Sequence, residues 1–171
     1  MNLLDAVNSD DFECVKSVLY GDTCFSQEEL SKALTQSVGC QDLRIVSLLI
    51  QRGADINLVL EDVTPPLLTA VIYDRPDVIA LLIENGAEIN LQDSVGNTAL
   101  QLALEDEILE AEETSDIPKV NLSRLLIESG ADPTIVDGTG NTAIDDARKA
   151  GYKEAVELLL DSLTDQENTQ R

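Results

Sequence analysis

One ten-residue word organises this chain. Leu48-Leu49-Ile50-Gln51-Arg52-Gly53-Ala54-Asp55-Ile56-Asn57 returns as Leu81-Leu82-Ile83-Glu84-Asn85-Gly86-Ala87-Glu88-Ile89-Asn90. A third copy reads Leu125-Leu126-Ile127-Glu128-Ser129-Gly130-Ala131-Asp132-Pro133-Thr134. The glycines of the first two copies lie 33 residues apart, and the third follows 44 residues later. A period of this length, lengthened once, belongs to a tandem array of supersecondary units. No such unit covers its own apolar face, so each must stack on its neighbours. The apolar pairs and triplets that carry the stacking, such as Ile45-Val46 with Leu48-Leu49-Ile50, fall at helical spacing. Each fully buried aliphatic side chain contributes about 1.5–3 kcal/mol before chain entropy is subtracted.

A second word precedes the second and third of these copies and recurs once more after the last, while the stretch before the first copy, Ser31-Lys32-Ala33-Leu34, lacks it. It stands as Thr64-Pro65-Pro66-Leu67-Leu68-Thr69-Ala70, as Gly96-Asn97-Thr98-Ala99-Leu100-Gln101-Leu102-Ala103, and as Gly140-Asn141-Thr142-Ala143-Ile144-Asp145-Asp146-Ala147. Together the two words resemble the opening Gly-x-Thr-Pro-Leu-His-x-Ala and the closing Leu-Leu-Leu and Gly-Ala-Asp of ankyrin repeats. The resemblance covers residues 1–160. It implies an all-α ankyrin-repeat solenoid of about five helix-turn-helix units with short β-hairpin fingers. The units fall at about 1–22, 23–55, 56–88, 89–132 and 133–160 in a single domain, followed by a polar C-terminal tail at 161–171.

The departures from the family pattern are informative. Leu68 and Gln101 replace the histidine that ties neighbouring turns together in the family. Pro65 replaces the capping threonine, so Thr64 is expected to cap one residue earlier. Gly39 is expected to end the inner helix of the second unit in a left-handed conformation, the cheapest conformer for glycine there. Asp10 or Asp11 is the expected N-cap of the helix at 12–19. The fourth unit carries 11 extra residues, in an acidic insertion near 105–116 that holds seven acids and no base. Eleven residues are about three helical turns, so the expectation is a longer inner helix with a solvated end, then a loop, with Pro118 opening the next helix. Asp145 and Asp146 suit an end cap, because nothing stacks beyond it.

Composition narrows the function. The 33 acids against 11 bases give a formal charge of −22, and histidine is absent. Such a charge repels nucleic-acid phosphates and anionic lipid, and it serves either simple solubility or attraction of a basic partner. With 3% aromatic residues and no tryptophan, base-stacking platforms are not available. No apolar run approaches the ~20 residues of a membrane span. Three cysteines, Cys14, Cys24 and Cys40, point to a reducing, cytoplasmic setting. Cys14 falls at an aliphatic position of an outer helix, and Cys40 near the turn that the family exposes for binding.

Catalysis has few candidates. Without histidine, Ser–His and Cys–His pairs are excluded, as is a Cys/His zinc site. The acidic run lacks the EF-hand spacing and its glycine, and no Gly-x-x-x-x-Gly-Lys-Ser/Thr phosphate loop occurs. The expectation is a protein that is not an enzyme, with no cofactor and no metal.

The resemblance implies a partner protein on the concave face, which is built from fingers and inner helices. Carried over, the partner-binding positions are Glu61, Asp62, Ile72 and Tyr73 in the third unit, with Thr64 beside them. Ser94, Val95, Asn97, Glu105 and Asp106 follow in the fourth. The second unit supplies Glu28, Glu29, Ser31, Gly39 and Cys40. Leu58, Val59 and Leu60 give an apolar finger tip, continued by Val95 and Val136; apolar groups rimmed by charge mark interfaces, or else pack on adjacent fingers. Tyr73 is a hot-spot residue type, or else packs on a neighbouring inner helix. The reading is a non-enzymatic adaptor or regulator, monomeric alone, binding a protein partner with a basic surface but neither nucleic acid nor membrane. The alternative is an acidic stoichiometric inhibitor or immunity-type protein that covers a basic enzyme such as a nuclease.

Overall fold

Helix signals along the sequence turn into ten helices among the described residues of the computed structural model. It describes the backbone of residues 2–60, 63–114 and 121–169, and the side chains of these except 111–114 and 165–169. The contacts of the chain fall into two compact units, Met1–Glu88 and Ile89–Arg171.

The first unit holds α1 (Leu3–Asn8), α2 (Phe12–Leu19), α3 (Gln27–Ser37), α4 (Leu43–Gln51), α5 (Pro66–Ile72) and α6 (Pro76–Glu84). Consecutive helices pair as α1 with α2, α3 with α4 and α5 with α6. The inner helices α1, α3 and α5 then stack in sequence, as do the outer helices α2, α4 and α6. The core lies between these two layers, where Val15, Leu34, Ile45, Leu49, Leu68, Ile79 and Leu82 are fully buried.

Each start has a local cause. Asn2 with Asp5 and Ser26 with Glu29 form capping boxes, in which side chain and backbone satisfy each other's orphan groups. Asp11 caps α2 by accepting from the Cys14 N–H. Asp10 is not that cap. At φ 52° its carboxylate turns toward the next turn and accepts from the Gln41 and Asp42 N–H groups. Thr64 does not cap α5 either: Pro65 holds the N-cap position with no side-chain bond, and the proline ring at the first turn loses nothing there.

The ends explain the recurring word. Gly53 and Gly86 have φ near 90°. The Ala54 N–H reaches the Leu49 carbonyl and the Gly53 N–H the Ile50 carbonyl, a Schellman closure repeated by Ala87 on Leu82 and Gly86 on Ile83. The asparagine that ends the word has its own task. Asn57 donates to the Gly86 carbonyl and accepts from the Glu88 N–H, which clamps one loop to the next. Arg52 to the Leu19 carbonyl and Arg75 to the Val38 and Cys40 carbonyls are further ties between repeats. Gly39 departs from expectation, since it is not among the positive-φ glycines. A Cβ there would stand 3.5 Å from the Tyr73 ring, an ordinary contact, so neither backbone conformation nor space demands glycine at this position.

The second unit holds α7 (Ala99–Thr114), α8 (Asn121–Glu128), α9 (Ala143–Lys149) and α10 (Lys153–Thr169). It repeats the same plan: α7 pairs with α8 and α9 with α10, while α7 stacks on α9 and α8 on α10. The expected long inner helix is present, since α7 has 16 residues where α5 and α9 have seven each. The loop expected near Pro118 lies outside the described residues. Helix α10 runs on to Thr169, with Leu159 and Ser162 buried, so the polar tail expected from residue 161 begins as a continuation of this helix. The β-structure among the described residues is two isolated bridges, Leu60 with Val63 and Val136 with Thr142. The all-α class is thus observed, with fingers that barely qualify as hairpins.

Candidate partner-binding site

The fingers of the second unit are built on aspartates. Asp93 accepts from the Val95 and Asn97 N–H groups, and Asp137 does the same for Thr139 and Asn141. These bonds hold the Asp137 carboxyl below the usual carboxylate range, led by that from the Asn141 backbone and then by Thr139. The two fingers touch through glycine. A Cβ on Gly138 would lie 2.0 Å from the Val95 carbonyl oxygen, and one on Gly96 2.6 Å from the Gly138 nitrogen. Neither position has room for any other residue without the fingers parting.

Gln101 joins finger to helix. Its side-chain oxygen accepts from the Thr98 N–H and hydroxyl, which caps α7, and its Nε2 donates to the Ile135 and Asn141 carbonyls. It therefore does the tying expected of the absent histidine. Leu68, at the matching position of the first unit, is simply core.

Between α7 and the finger at 137–141 runs a groove of about 370 Å³. Gln101, Leu102, Glu105, Ile108 and Leu109 of α7 form one wall, spaced as one helical face. Asp137, Thr139 and Asn141 of the finger, with Asp146 of α9, form the other, and Asn97 also lines it. Of the positions expected to meet a partner, Asn97 and Glu105 are thus brought together. Ser94, Val95 and Asp106 are exposed but do not line the groove; Val95 is 63% exposed.

In the first unit, Ile72 and Tyr73 stand exposed at the C-terminal end of α5, at 54% and 58%. The Tyr73 ring also lies against Gly39, past the C-terminal end of the preceding inner helix. Val59 is exposed, while Leu58 and Leu60 are half-buried, so the apolar tip narrows to one valine. Glu61 and Asp62 lie outside the described residues. Glu28 and Glu29 are exposed on α3, whereas Ser31 is buried and its hydroxyl accepts from the Asp55 N–H. Cys40 is also buried. Its thiol donates to the Val7 carbonyl, and burial pushes it up to about 11. That removes Cys40 from the binding surface. Cys14 is half-buried and Cys24 exposed.

One functional-looking acid turns out to be structural. Glu107, in the acidic insertion, is 6% exposed, and its carboxylate caps α8 by accepting from the Leu122 and Ser123 N–H groups and the Ser123 hydroxyl. Burial pushes this carboxyl above the ordinary glutamate range, against the opposing pull of those bonds. Burial also raises the neighbouring Tyr152 phenol to about 12, with the Glu107 and Glu154 charges adding to the effect. The insertion is therefore not a wholly solvated helix end. Among the described residues, no group of three or more His, Cys, Asp or Glu could hold a metal ion, and no helix is long and apolar enough to cross a membrane.

Paired helices stacked in two layers, closed by Gly-Ala turns and joined by aspartate-braced fingers, define a helical repeat protein. The family model described as ankyrin repeats (3 copies) matches residues 3–93 and 34–114, and the chain belongs to the ankyrin-repeat family. Repeats of this family generally serve as protein–protein interaction modules and are typically non-catalytic. No curated protein matches the chain.

Proposed function

We propose that this protein is a non-enzymatic adaptor or regulator that takes a partner protein on the finger and inner-helix side of its repeats. It acts as a monomer in a reducing, cytoplasmic setting. The observation that carries this reading is the groove of the second unit, where Asn97 and Glu105 share one cleft with apolar Leu102, Ile108 and Leu109. Exposed Ile72, Tyr73 and Val95 add apolar surface at positions the family uses for partners. The charge of −22 selects a partner with a basic surface and disfavours nucleic acid. The same charge supports a second reading, a stoichiometric inhibitor that covers a basic enzyme such as a nuclease. The two separate by outcome, since an inhibitor abolishes its partner's turnover in a one-to-one complex.

The test immobilises the full chain and the double variant Tyr73→Ala, Val95→Asp, and offers both an extract of the native source at low salt. A partner recovered one-to-one by the wild type and at least tenfold less by the variant, with the melting temperature unchanged, supports the reading. Equal recovery by both contradicts it.

A further inference from the structure

A seven-residue inner helix beginning at Ala99, like α5 or α9, would end at Glu105. The insertion carries α7 past that point, and the added turns place Ile108 and Leu109 on the face that already bears Leu102 and Glu105. The extension therefore builds an apolar wall that a standard repeat lacks. The opposite wall is acidic, with Asp137 on the finger and Asp146 on α9. Asp137 is spent on its own turn yet keeps its charge, because its hydrogen bonds favour the ionised form. Asp146 meets Lys149 at 3.5 Å, an exposed pair that competes weakly with an incoming cation. Glu105 is exposed, with no ion pair among the described residues.

The geometry points to an occupant for this groove: an extended segment of a partner protein that presents an arginine or lysine next to an aliphatic side chain. The cation lies among Glu105, Asp137 and Asp146, and the aliphatic group lies against Leu102, Ile108 and Leu109. At about 370 Å³ the groove sits at the small end of the range for ligand sites, ~300–1,000 Å³, which suits two side chains rather than a larger group. Charge complementarity excludes an acidic segment, and the apolar wall distinguishes the site from a merely acidic surface. This inference rests on the reading of the groove as a partner site and names the chemistry of what enters it.

The probes are three fluorescein-labelled ten-residue peptides in a Gly-Ser background, carrying two Arg-Leu pairs, two Arg-Ser pairs or two Glu-Leu pairs. Anisotropy titrations with the full chain are expected to show the Arg-Leu peptide binding at least tenfold more tightly than either control. Glu105→Gln with Asp146→Asn should weaken it at least tenfold, and Leu109→Ser about fivefold, with melting temperatures unchanged. The charge-matched control Glu154→Gln with Glu157→Gln should leave it unaltered. The side-chain amide NMR signals of Asn97 and Asn141 should shift on binding. Equal affinity for Arg-Leu and Arg-Ser peptides, equal weakening by the control pair, or unshifted Asn97 and Asn141 amides would overturn the inference. If the native partner is still lost on Tyr73→Ala, Val95→Asp while the peptides fail, the occupant is wrong and the partner-binding reading stands.

Discussion

Glu107 shows how far a residue's role can lie from its composition. It sits third in a run of acids, yet it is the acid that turns inward to cap α8. Glu107→Ala strands two buried backbone N–H groups and should cost about 2–4 kcal/mol in denaturant unfolding. Glu107→Gln keeps an acceptor for both N–H groups and removes the buried charge. The folded protein holds the Glu107 proton to higher pH than the unfolded chain does, because burial raises this group. In that window the native state binds more protons, so the stability this group contributes falls as pH rises through it. Glu107→Gln should therefore equal or exceed the wild type near neutral pH, with the gap closing below the ordinary glutamate value of about 4.3. A wild-type advantage that grows with pH would contradict the assignment.

At the scale of elements, two glycines of different kinds allow a sharp comparison. Gly53 has φ of 90° and open space where a Cβ would go, so Gly53→Ala costs backbone strain alone, about 1–2 kcal/mol. Gly138 has ordinary φ, but its Cβ would stand 2.0 Å from the Val95 carbonyl, so Gly138→Ala must move a finger and should cost about 1–3 kcal/mol. The two separate in the Asn97 and Asn141 side-chain NMR signals, which only Gly138→Ala should shift. The helices themselves were legible in the chain, because period, proline and glycine are local signals. Leu81–Asn90 and its copies announced the fold, and Gly96-Asn97-Thr98 announced the finger and the cap. The groove was legible only in part. Asn97 and Glu105 followed from the family's partner-facing positions, but Asp137, Thr139 and Asp146 come from segments some forty residues on, and pairing them needs the stacking of α7 on α9. Gly39 misled for a different reason. A helix-end glycine reads as a left-handed stop, whereas here its φ is not positive and a Cβ would meet the Tyr73 ring of the next repeat at ordinary contact distance.

For the whole molecule, charge is the dominant long-range property. A net −22 repels itself in the folded chain, and salt screens that repulsion, with a Debye length near 8 Å at physiological strength. The melting temperature should therefore rise from low salt to about 0.5 M sodium chloride, as followed by circular dichroism. A flat or falling curve would mean that ion pairs such as Lys32 with Glu28 outweigh the repulsion. Association with a basic partner should move the other way, its on-rate falling steeply over the same range.

The proposed partner protein lies on the finger and inner-helix side of the repeats. Hydrogen exchange read by mass spectrometry, on the chain alone and in its one-to-one complex with the captured partner, tests this placement most directly. Protection gained over residues 94–109 and 137–146, with α8 and α10 unchanged, is the predicted result. Protection confined to α8 and α10, with the fingers and α7 exchanging as before, would contradict it.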